Sequence, residues 1–440
     1  MFPRLSAPRL IVVAFAGLIL VGTLLLKIPA ANNGITWMDA FFESVSAVTV
    51  TGLQAVTPAD AFTPFGQFIL AALIQLGGLG IMTLTTVGAL LIGRRMGFRD
   101  LLVVREELAS PDSPRNVAGL VGQVALITLL VEAVGAVILA LRFALQGHGI
   151  GSIGLALFHS IAAFCNAGFD IFEDGMTAYA SDWTVNLTLI YLIIAGGLGF
   201  PVLVNLYHYR RVRRLTLQSK LVLITTAAML VFGIASVALF EWTNPRTLGG
   251  EPFGTQVLMS LFQGVSPRTA GFATVTYADM RETTLATQIS LMFVGTAPVS
   301  TGGGIKVTTV ALIFLIMLAQ VRGQEEVSAF GRRIPRSLIA KSVTVLTLST
   351  LLVSGASLAL MVSEKIGFLA ALFEVTSAFG TVGLSLGPGY GLATEASPFG
   401  KVLAAIMFAG RVGPITVVLA LSERSRPRKY TYPEEEIAIG

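Results

Sequence analysis

Four short segments of this sequence share one pattern, and that pattern confines the chain to a small set of folds. They are Phe42–Leu53 (FESVSAVTVTGL), Phe158–Phe169 (FHSIAAFCNAGF), Phe262–Phe272 (FQGVSPRTAGF) and Phe373–Leu384 (FEVTSAFGTVGL). Each begins with phenylalanine and closes on a glycine followed by a large apolar residue. The glycines are Gly52, Gly168, Gly271 and Gly383, separated by 116, 103 and 112 residues. Recurrence of this kind marks an architecture assembled from internal repeats.

Eight apolar runs surround these segments, near residues 8–29, 66–92, 117–145, 184–207, 219–240, 286–320, 338–362 and 399–421. A helix of about 20 apolar residues crosses a hydrocarbon core about 30 Å thick. The runs are long enough, whereas the short segments, with helices of about 10 residues, are not. Each short segment must therefore enter and leave on one side as a re-entrant loop. The expected fold is an all-α integral membrane protein. Four pseudo-symmetric helix–pore loop–helix repeats surround one central pore, giving eight spanning helices plus four re-entrant pore helices. The repeats fall at 1–93, 94–212, 213–322 and 323–424, followed by a tail at 425–440.

Composition agrees. Only 12% of residues are charged and 54% are hydrophobic, with a mean hydropathy of +0.78; soluble domains carry roughly 25% charged residues. Arg4 and Arg9 precede an apolar run, as in a signal peptide. No A-x-A site with a polar mature start follows, so the run reads as a retained first helix. A single cysteine, Cys165, excludes an intramolecular disulfide framework and a multi-cysteine metal site. His148, His159 and His208 are dispersed and read as loop or interfacial residues. The absence of H-E-x-x-H and G-x-S-x-G motifs argues against a membrane enzyme.

The pI near 9.4 reflects topology rather than nucleic-acid binding. Of 30 Lys and Arg, 21 fall in 4–9, 94–115, 210–220, 322–341 and 424–429. Lys27, Arg142, Arg246, Arg281, Lys365 and Lys401 fall on the opposite side, and Arg268, Lys306 and Arg411 within the membrane region. The positive-inside rule then puts both termini in the cytoplasm of a multi-pass plasma or inner membrane protein. Asp60, Asp170, Glu173, Asp174, Asp182, Glu241, Glu251, Asp279 and Glu282 fall outside, where they would form a negative vestibule for an arriving cation.

Non-helical backbone at membrane depth must line a cavity or be buried in protein. Four loops converging on one axis meet that condition, and their carbonyls can replace the hydration shell of an alkali ion. Half-helices aim partly negative C-terminal ends at the cavity. Glycine supports the positive φ such loops visit. The candidate ion-binding backbone is Thr49-Val50-Thr51-Gly52, Cys165-Asn166-Ala167-Gly168, Thr269-Ala270-Gly271 and Gly380-Thr381-Val382-Gly383. The fourth loop alone keeps a TVG like that of potassium-channel filters. Cys165 reads as a small packing residue. Arg268 would block a cation path, so it is expected to brace its loop from behind. It would donate to carbonyls or pair with an acid such as Glu43 or Glu374; the alternative reading leaves those acids solvated near the outer interface.

Two gate candidates lie below. Residues 297–305 read Ala-Pro-Val-Ser-Thr-Gly-Gly-Gly-Ile, followed by Lys306. Pro298 and Gly302, Gly303 and Gly304 cannot continue a helix. This stretch, with Ser300 and Thr301, reads as a mobile barrier or as a static kink, and as the one broken inner helix of the four units. Arg411, mid-helix in Phe408–Pro414, costs at least about 2.5–3.5 kcal/mol in a membrane. It reads either as a positive barrier in the pore or as a tie to the glycine loop or to Glu132. Lys306 adds to the positive lining or snorkels.

Taken together, these residues resemble the Trk/Ktr/HKT superfamily of potassium transporters, and its KtrB-type subunits most. The resemblance covers essentially the whole chain. It is carried by the four loop glycines, the Gly295–Lys306 segment, the Gly410–Pro414 stretch and the tail Tyr432–Gly440. It implies that the four glycines form a selectivity filter, that the 297–305 loop gates, and that Arg411 faces the pore. Family members with serine at the first glycine favour sodium, so Gly52 implies potassium, with sodium a possible second ion. It also implies a homodimer with the tail crossing the cytoplasmic interface, and a separate RCK-type nucleotide-binding regulatory ring. The basic loop around Arg210–Arg214 would contact that ring or simply set topology. The leading reading is a channel-like potassium uptake subunit driven by the membrane potential. The alternative is a sodium- or proton-coupled potassium symporter in which Glu132 is the coupling carboxylate.

Overall fold

The computed structural model describes residues 7–91, 117–147, 149, 151–172, 175–324, 326–387 and 398–421. The basic loop 94–115, Glu173, Asp174, His148 and the tail 425–440 lie outside the described residues. The described residues are mostly helical, joined by loops and turns, with one two-stranded hairpin pairing Ser328–Ala329 with Arg332–Arg333.

The four short segments form helices Trp37–Thr49, Gly151–Cys165, Phe253–Val265 and Phe368–Gly380. The first starts at a capping box, in which Asp39 N donates to Thr36 Oγ1 (3.2 Å) and Thr36 N to Asp39 Oδ2 (2.7 Å). Each short helix packs on the first long helix of its own unit: Ala7–Leu26, Val117–Leu145, Leu217–Glu241 and Arg336–Glu364 respectively. Each also packs on a second helix of the preceding unit. Gly151–Cys165 meets Pro64–Leu91, Phe253–Val265 meets Trp183–Gly197, Phe368–Gly380 meets Glu282–Phe293, and Trp37–Thr49 meets Pro398–Val412. The last of these contacts closes the chain of units on itself.

Three described helices are long and apolar enough to cross a membrane: Gly122–Leu145, Leu217–Glu241 and Arg336–Glu364. Their outward faces expose Leu129, Leu141, Leu239 and Leu351, a surface suited to lipid. A bent pair, Trp183–Gly197 with Phe200–Arg210, turns by 99° and would be a fourth if the two pieces count as one broken span. The expected continuous run at 184–207 is thus broken.

The expectation of one broken inner helix is corrected in the same way elsewhere. Pro64–Leu91 kinks at Gly80 (φ 69°, ψ −161°). The third unit divides into Glu282–Phe293 and Val307–Val321. In the fourth, Pro398–Val412 stops at Gly413 (φ 92°) and Pro414–Leu421 follows. Among the described residues, the helical stretch that follows each of the four short helices is therefore interrupted. At Gly199 (φ 84°) and Gly413, a glycine turns the chain and a proline stands in the first turn of the new helix, where its missing N–H is harmless.

Candidate functional site

The ends of the four short helices meet. Two residues before each loop glycine, a non-glycine residue takes the left-handed conformation: Val50 (φ 59°), Asn166 (φ 60°), Thr269 (φ 67°) and Thr381 (φ 49°). The glycines follow at φ 91°, 65°, 80° and 89°. Left-handed backbone costs about 1–3 kcal/mol at a non-glycine position and persists only where the surroundings impose it. Three of these four residues are β-branched, for which the conformation is a true outlier. Turns back into the short helices hold it. Thr51 N donates to Ser46 O, Ala167 N to Ala162 O and Val382 N to Ser377 O, each at 2.8 Å, and Ala270 N to Ser266 O at 2.9 Å.

The four glycines form a closed ring in chain order. A Cβ on Gly52 would fall on the carbonyl oxygen of Ala167, one on Gly271 on that of Val382, and one on Gly383 on that of Thr51. A Cβ on Gly168 would stand 2.9 Å from Gly271 Cα and 3.0 Å from Ala270 O. Each loop thus presses the carbonyl before its own glycine against the glycine of a neighbouring loop. Close approach, as much as positive φ, means that a side chain at any of the four positions would force its neighbours to shift. The flanking residues Thr49, Val50, Thr51, Cys165, Asn166, Ala167, Thr269, Ala270, Thr381 and Val382 are buried.

Arg268 is buried behind the third loop, with Nη2 3.5 Å from Gly295 O. It does not pair with Glu43 or Glu374, correcting that expectation. Both carboxylates turn instead to backbone N–H groups of their own loops. Neither acid is solvated: Glu43 is 0% and Glu374 2% exposed. Cys165 packs against Gly78, and its Sγ lies 3.5 Å from Gln75 Oε1. Gln75 Nε2 donates to Glu132 Oε2 at 3.2 Å, so one glutamine links the thiol to the buried acid.

The interrupted stretch of the third unit lies against one side of the ring. Gly303 N donates to Thr381 Oγ1 (2.9 Å), and a Cβ on Gly302 would fall on Thr269 Oγ1. Gly304 (φ 68°) is close enough that a Cβ would stand 3.3 Å from Gly380 Cα. Thr301 Oγ1 lies 3.3 Å from the Asn166 amide, which also lies 3.1 Å from Thr269 Oγ1. The stretch is tied to the break of the second unit: Ala297 N donates to Gly197 O (3.1 Å) and Phe200 N to Val299 O (3.0 Å). Pro298 O sits where a Cβ on Gly199 would reach it at 2.7 Å. Ser300 Oγ donates to Ala297 O (2.6 Å), and Lys306 Nζ to Gly302 O (2.6 Å). Arg411 spans the gap, donating from Nη1 to Thr301 O and from Nη2 to Gly77 O and Gly78 O. It makes no contact with Glu132.

Some acids expected in a vestibule have internal duties. Asp182 accepts from Thr184 N and Val185 N at the start of Trp183–Gly197 and pairs with Arg142 at 2.8 Å. Glu241 is enclosed by Thr284, Asn244, Thr247 and Arg281 N. Asp170 accepts from Phe172 N and Met176 N, both at 3.0 Å; burial pushes its carboxyl up while these donors pull it down.

The sequence reading missed the recurring helix breaks. Their signal was a G-x-x-G stretch before three of them: Gly77–Gly80, Gly196–Gly199 and Gly410–Gly413. Arg411 occupies in the fourth unit the place that Gly78 and Gly197 hold in the first two. It also missed His159 and Gln263, buried on their short helices one residue after the shared phenylalanine.

A sequence model of the TrkH family, described as a cation transport protein, matches residues 2–427. The chain is 37% identical over 439 residues to the "Ktr system potassium uptake protein B" of Bacillus subtilis, covering 99% of this chain and 97% of that one. It is 34% identical to the "Potassium/sodium uptake protein NtpJ" of Enterococcus hirae, covering 99% and 98%. The solved structure of the potassium transporter TrkH from Vibrio parahaemolyticus superposes with a TM-score of 0.75 at 20% identity, covering 95% of this chain and 86% of that one.

Proposed function

Starting from the chain's membership of the TrkH family of cation transport proteins, we propose that it is the membrane translocation subunit of a potassium uptake system, with a channel-like pore through the glycine ring. The observation that carries this reading is the closed ring of Gly52, Gly168, Gly271 and Gly383 against neighbouring carbonyls. Such carbonyls are hard oxygen ligands that substitute for the water around an alkali ion. In this reading the fold is four helix–pore loop–helix repeats, with eight spans and four re-entrant helices, divided near residues 93, 212 and 322. Thr49–Gly52, Cys165–Gly168, Thr269–Gly271 and Gly380–Gly383 line the ion path.

The relatives named for potassium uptake support potassium as the cargo, and the relative named for potassium and sodium adds sodium as a second ion. The segment Pro298–Lys306 gates, with Arg411 as its latch. The positive-inside pattern supports cytoplasmic termini. The naming of relatives as parts of a Ktr system supports a regulatory partner, read here as a cytoplasmic nucleotide-binding ring on a homodimer.

A second reading, coupled symport, is favoured by one observation: Glu132 is buried and its Oε1 has no hydrogen-bond partner among the described residues. Reversal potentials in liposomes under opposed sodium and potassium gradients test both. A potential tracking potassium alone, shifted toward sodium by Gly52→Ser, is expected. Unchanged permeability in that variant would count against the ring as the selective element.

A further inference from the structure

One matched position in the four units does the same job with three different side chains. It is the residue directly after the shared phenylalanine: Glu43, His159, Gln263 and Glu374. All four are buried. Glu43 Oε1 accepts from Ala55 N (2.7 Å) and Val56 N (3.3 Å). Glu374 Oε1 accepts from Leu386 N (2.8 Å) and Ser385 Oγ (2.9 Å). His159 Nε2 lies 3.5 Å from Ile171 N. The Gln263 amide satisfies all its neighbours only with its oxygen toward Thr274 N (2.8 Å) and Val275 N (3.0 Å), its nitrogen then donating to Tyr277 Oη at 2.8 Å. In each unit the acceptor reaches the extended backbone just past the ring glycine.

We infer that Glu43, His159, Gln263 and Glu374 are positioning residues that hold the strand beyond each ring glycine, and so set the ring's discrimination among alkali ions. The inference rests on reading the glycine ring as the selective constriction. The physical case is a matter of hydrogen-bond accounting. The segments after the glycines are neither helix nor sheet, so their buried N–H groups need acceptors from elsewhere. One side chain on the rigid short helix supplies them. That fixes the distance between helix and strand, and with it the direction of the carbonyls between.

The local details agree. His159 Nδ1 lies 2.7 Å from Leu155 O, so that nitrogen carries the proton and Nε2 is left as the acceptor. Its ring stacks on Phe172 of the strand it holds (centroids 3.9 Å apart, planes 17°). The two carboxylates serve the first and fourth loops, which touch through Gly383 and Thr51 O. The two neutral acceptors serve the second and third, which touch through Gly168 and Gly271. The ring is therefore held by carboxyl oxygens on one half, and by an imidazole nitrogen and an amide oxygen on the other.

The test uses the full chain in liposomes, with potassium-over-sodium permeability from bi-ionic potentials and a thermal midpoint in detergent for folding. Glu43→Gln, Glu374→Gln and His159→Gln keep an acceptor and are expected to keep the ratio. Glu43→Leu, Glu374→Leu and His159→Phe remove it and are expected to lower the ratio about three- to tenfold in folded protein, in proportion to the lost hydrogen bonds. A merely structural role would lower the midpoint and leave the ratio unchanged, and that result overturns the inference. If the apolar variants do not fold, Gln263→Glu together with His159→Gln decides. These variants exchange one kind of acceptor for another, so loss of selectivity in both, with normal midpoints, overturns it. Gly52→Ser in the same assay separates the two levels. If it erodes selectivity while the apolar variants do not, only the inference fails; if it too has no effect, the ring reading itself is wrong.

Discussion

The guanidinium of Arg411 donates to the carbonyl of Thr301, the residue that opens the Gly302–Gly304 run. The same side chain holds Gly77 O and Gly78 O, just ahead of the kink at Gly80. One cation thus clamps the broken helix of the third unit to the broken helix of the first, beside the glycine ring. In the reading proposed above it places a fixed positive charge on the ion path and also holds the glycine-rich segment read as the gate. The two effects add in the same direction.

Arg411→Ala is therefore expected to raise basal flux. Hydrogen bonds to a charged donor are worth about 1.5–3 kcal/mol each, and three carbonyls lose theirs. An increase in rubidium or potassium uptake of roughly tenfold or more into liposomes is expected on that scale. Arg411→Lys keeps the charge but not the planar fork and should fall between. Unaltered uptake in folded Arg411→Ala protein would dispose of the latch.

The breaks at Gly199 and Gly413 separate conformational strain from contact. Both sit at positive φ, so alanine at either costs about 1–3 kcal/mol. At Gly413 a Cβ meets only Thr416 Oγ1, at 3.8 Å, whereas at Gly199 it meets Pro298 O at 2.7 Å. Gly199→Ala should lower the thermal midpoint further than Gly413→Ala. It should also raise basal flux, because the displaced carbonyl belongs to the segment proposed to gate. Equal effects of the two substitutions would show that Pro298 is not seated on Gly199 in a way that matters.

Much of this arrangement was legible in the sequence because its marks are short and repeated. Gly52, Gly168, Gly271 and Gly383 announced themselves by their spacing, and the Pro298–Gly304 stretch by residues that cannot be helical. The breaks at Gly80, Gly199 and Gly413 were hidden because glycines inside an apolar run leave its hydrophobicity unchanged, so the run still reads as one span. The G-x-x-G stretches that end at these glycines, and Pro201 and Pro414 one or two residues later, were the marks of a new helix start. The partners of Glu43 and Glu374 were misjudged because opposite charges suggest an ion pair. In the fold, each acid is nearer to orphan backbone N–H groups than to Arg268. His159 read as a loop or interfacial residue since nothing in its own neighbourhood marks it, and only comparison with Glu43, Gln263 and Glu374 gives it a place.

Glu132 offers the sharpest separation between channel-like uptake and coupled symport. It lies behind the second loop, linked through Gln75 to Cys165, and its backbone carbonyl accepts from Ser160 Oγ at 2.6 Å. Glu132→Gln keeps the shape and an acceptor for Gln75 but removes the ionisable group. If the pore is channel-like, potassium uptake driven by a fixed membrane potential should change by less than about twofold, as expected for a conservative change that leaves a hydrogen bond in place. Its dependence on external pH and sodium should match the parent protein. If Glu132 couples a proton or sodium ion to potassium, the same substitution should abolish uptake driven by a proton or sodium gradient while leaving potassium exchange intact. We expect the first result. The measurement is uptake into liposomes under a clamped potential, with each gradient imposed in turn, and loss of gradient-driven uptake alone would replace the channel-like reading with symport.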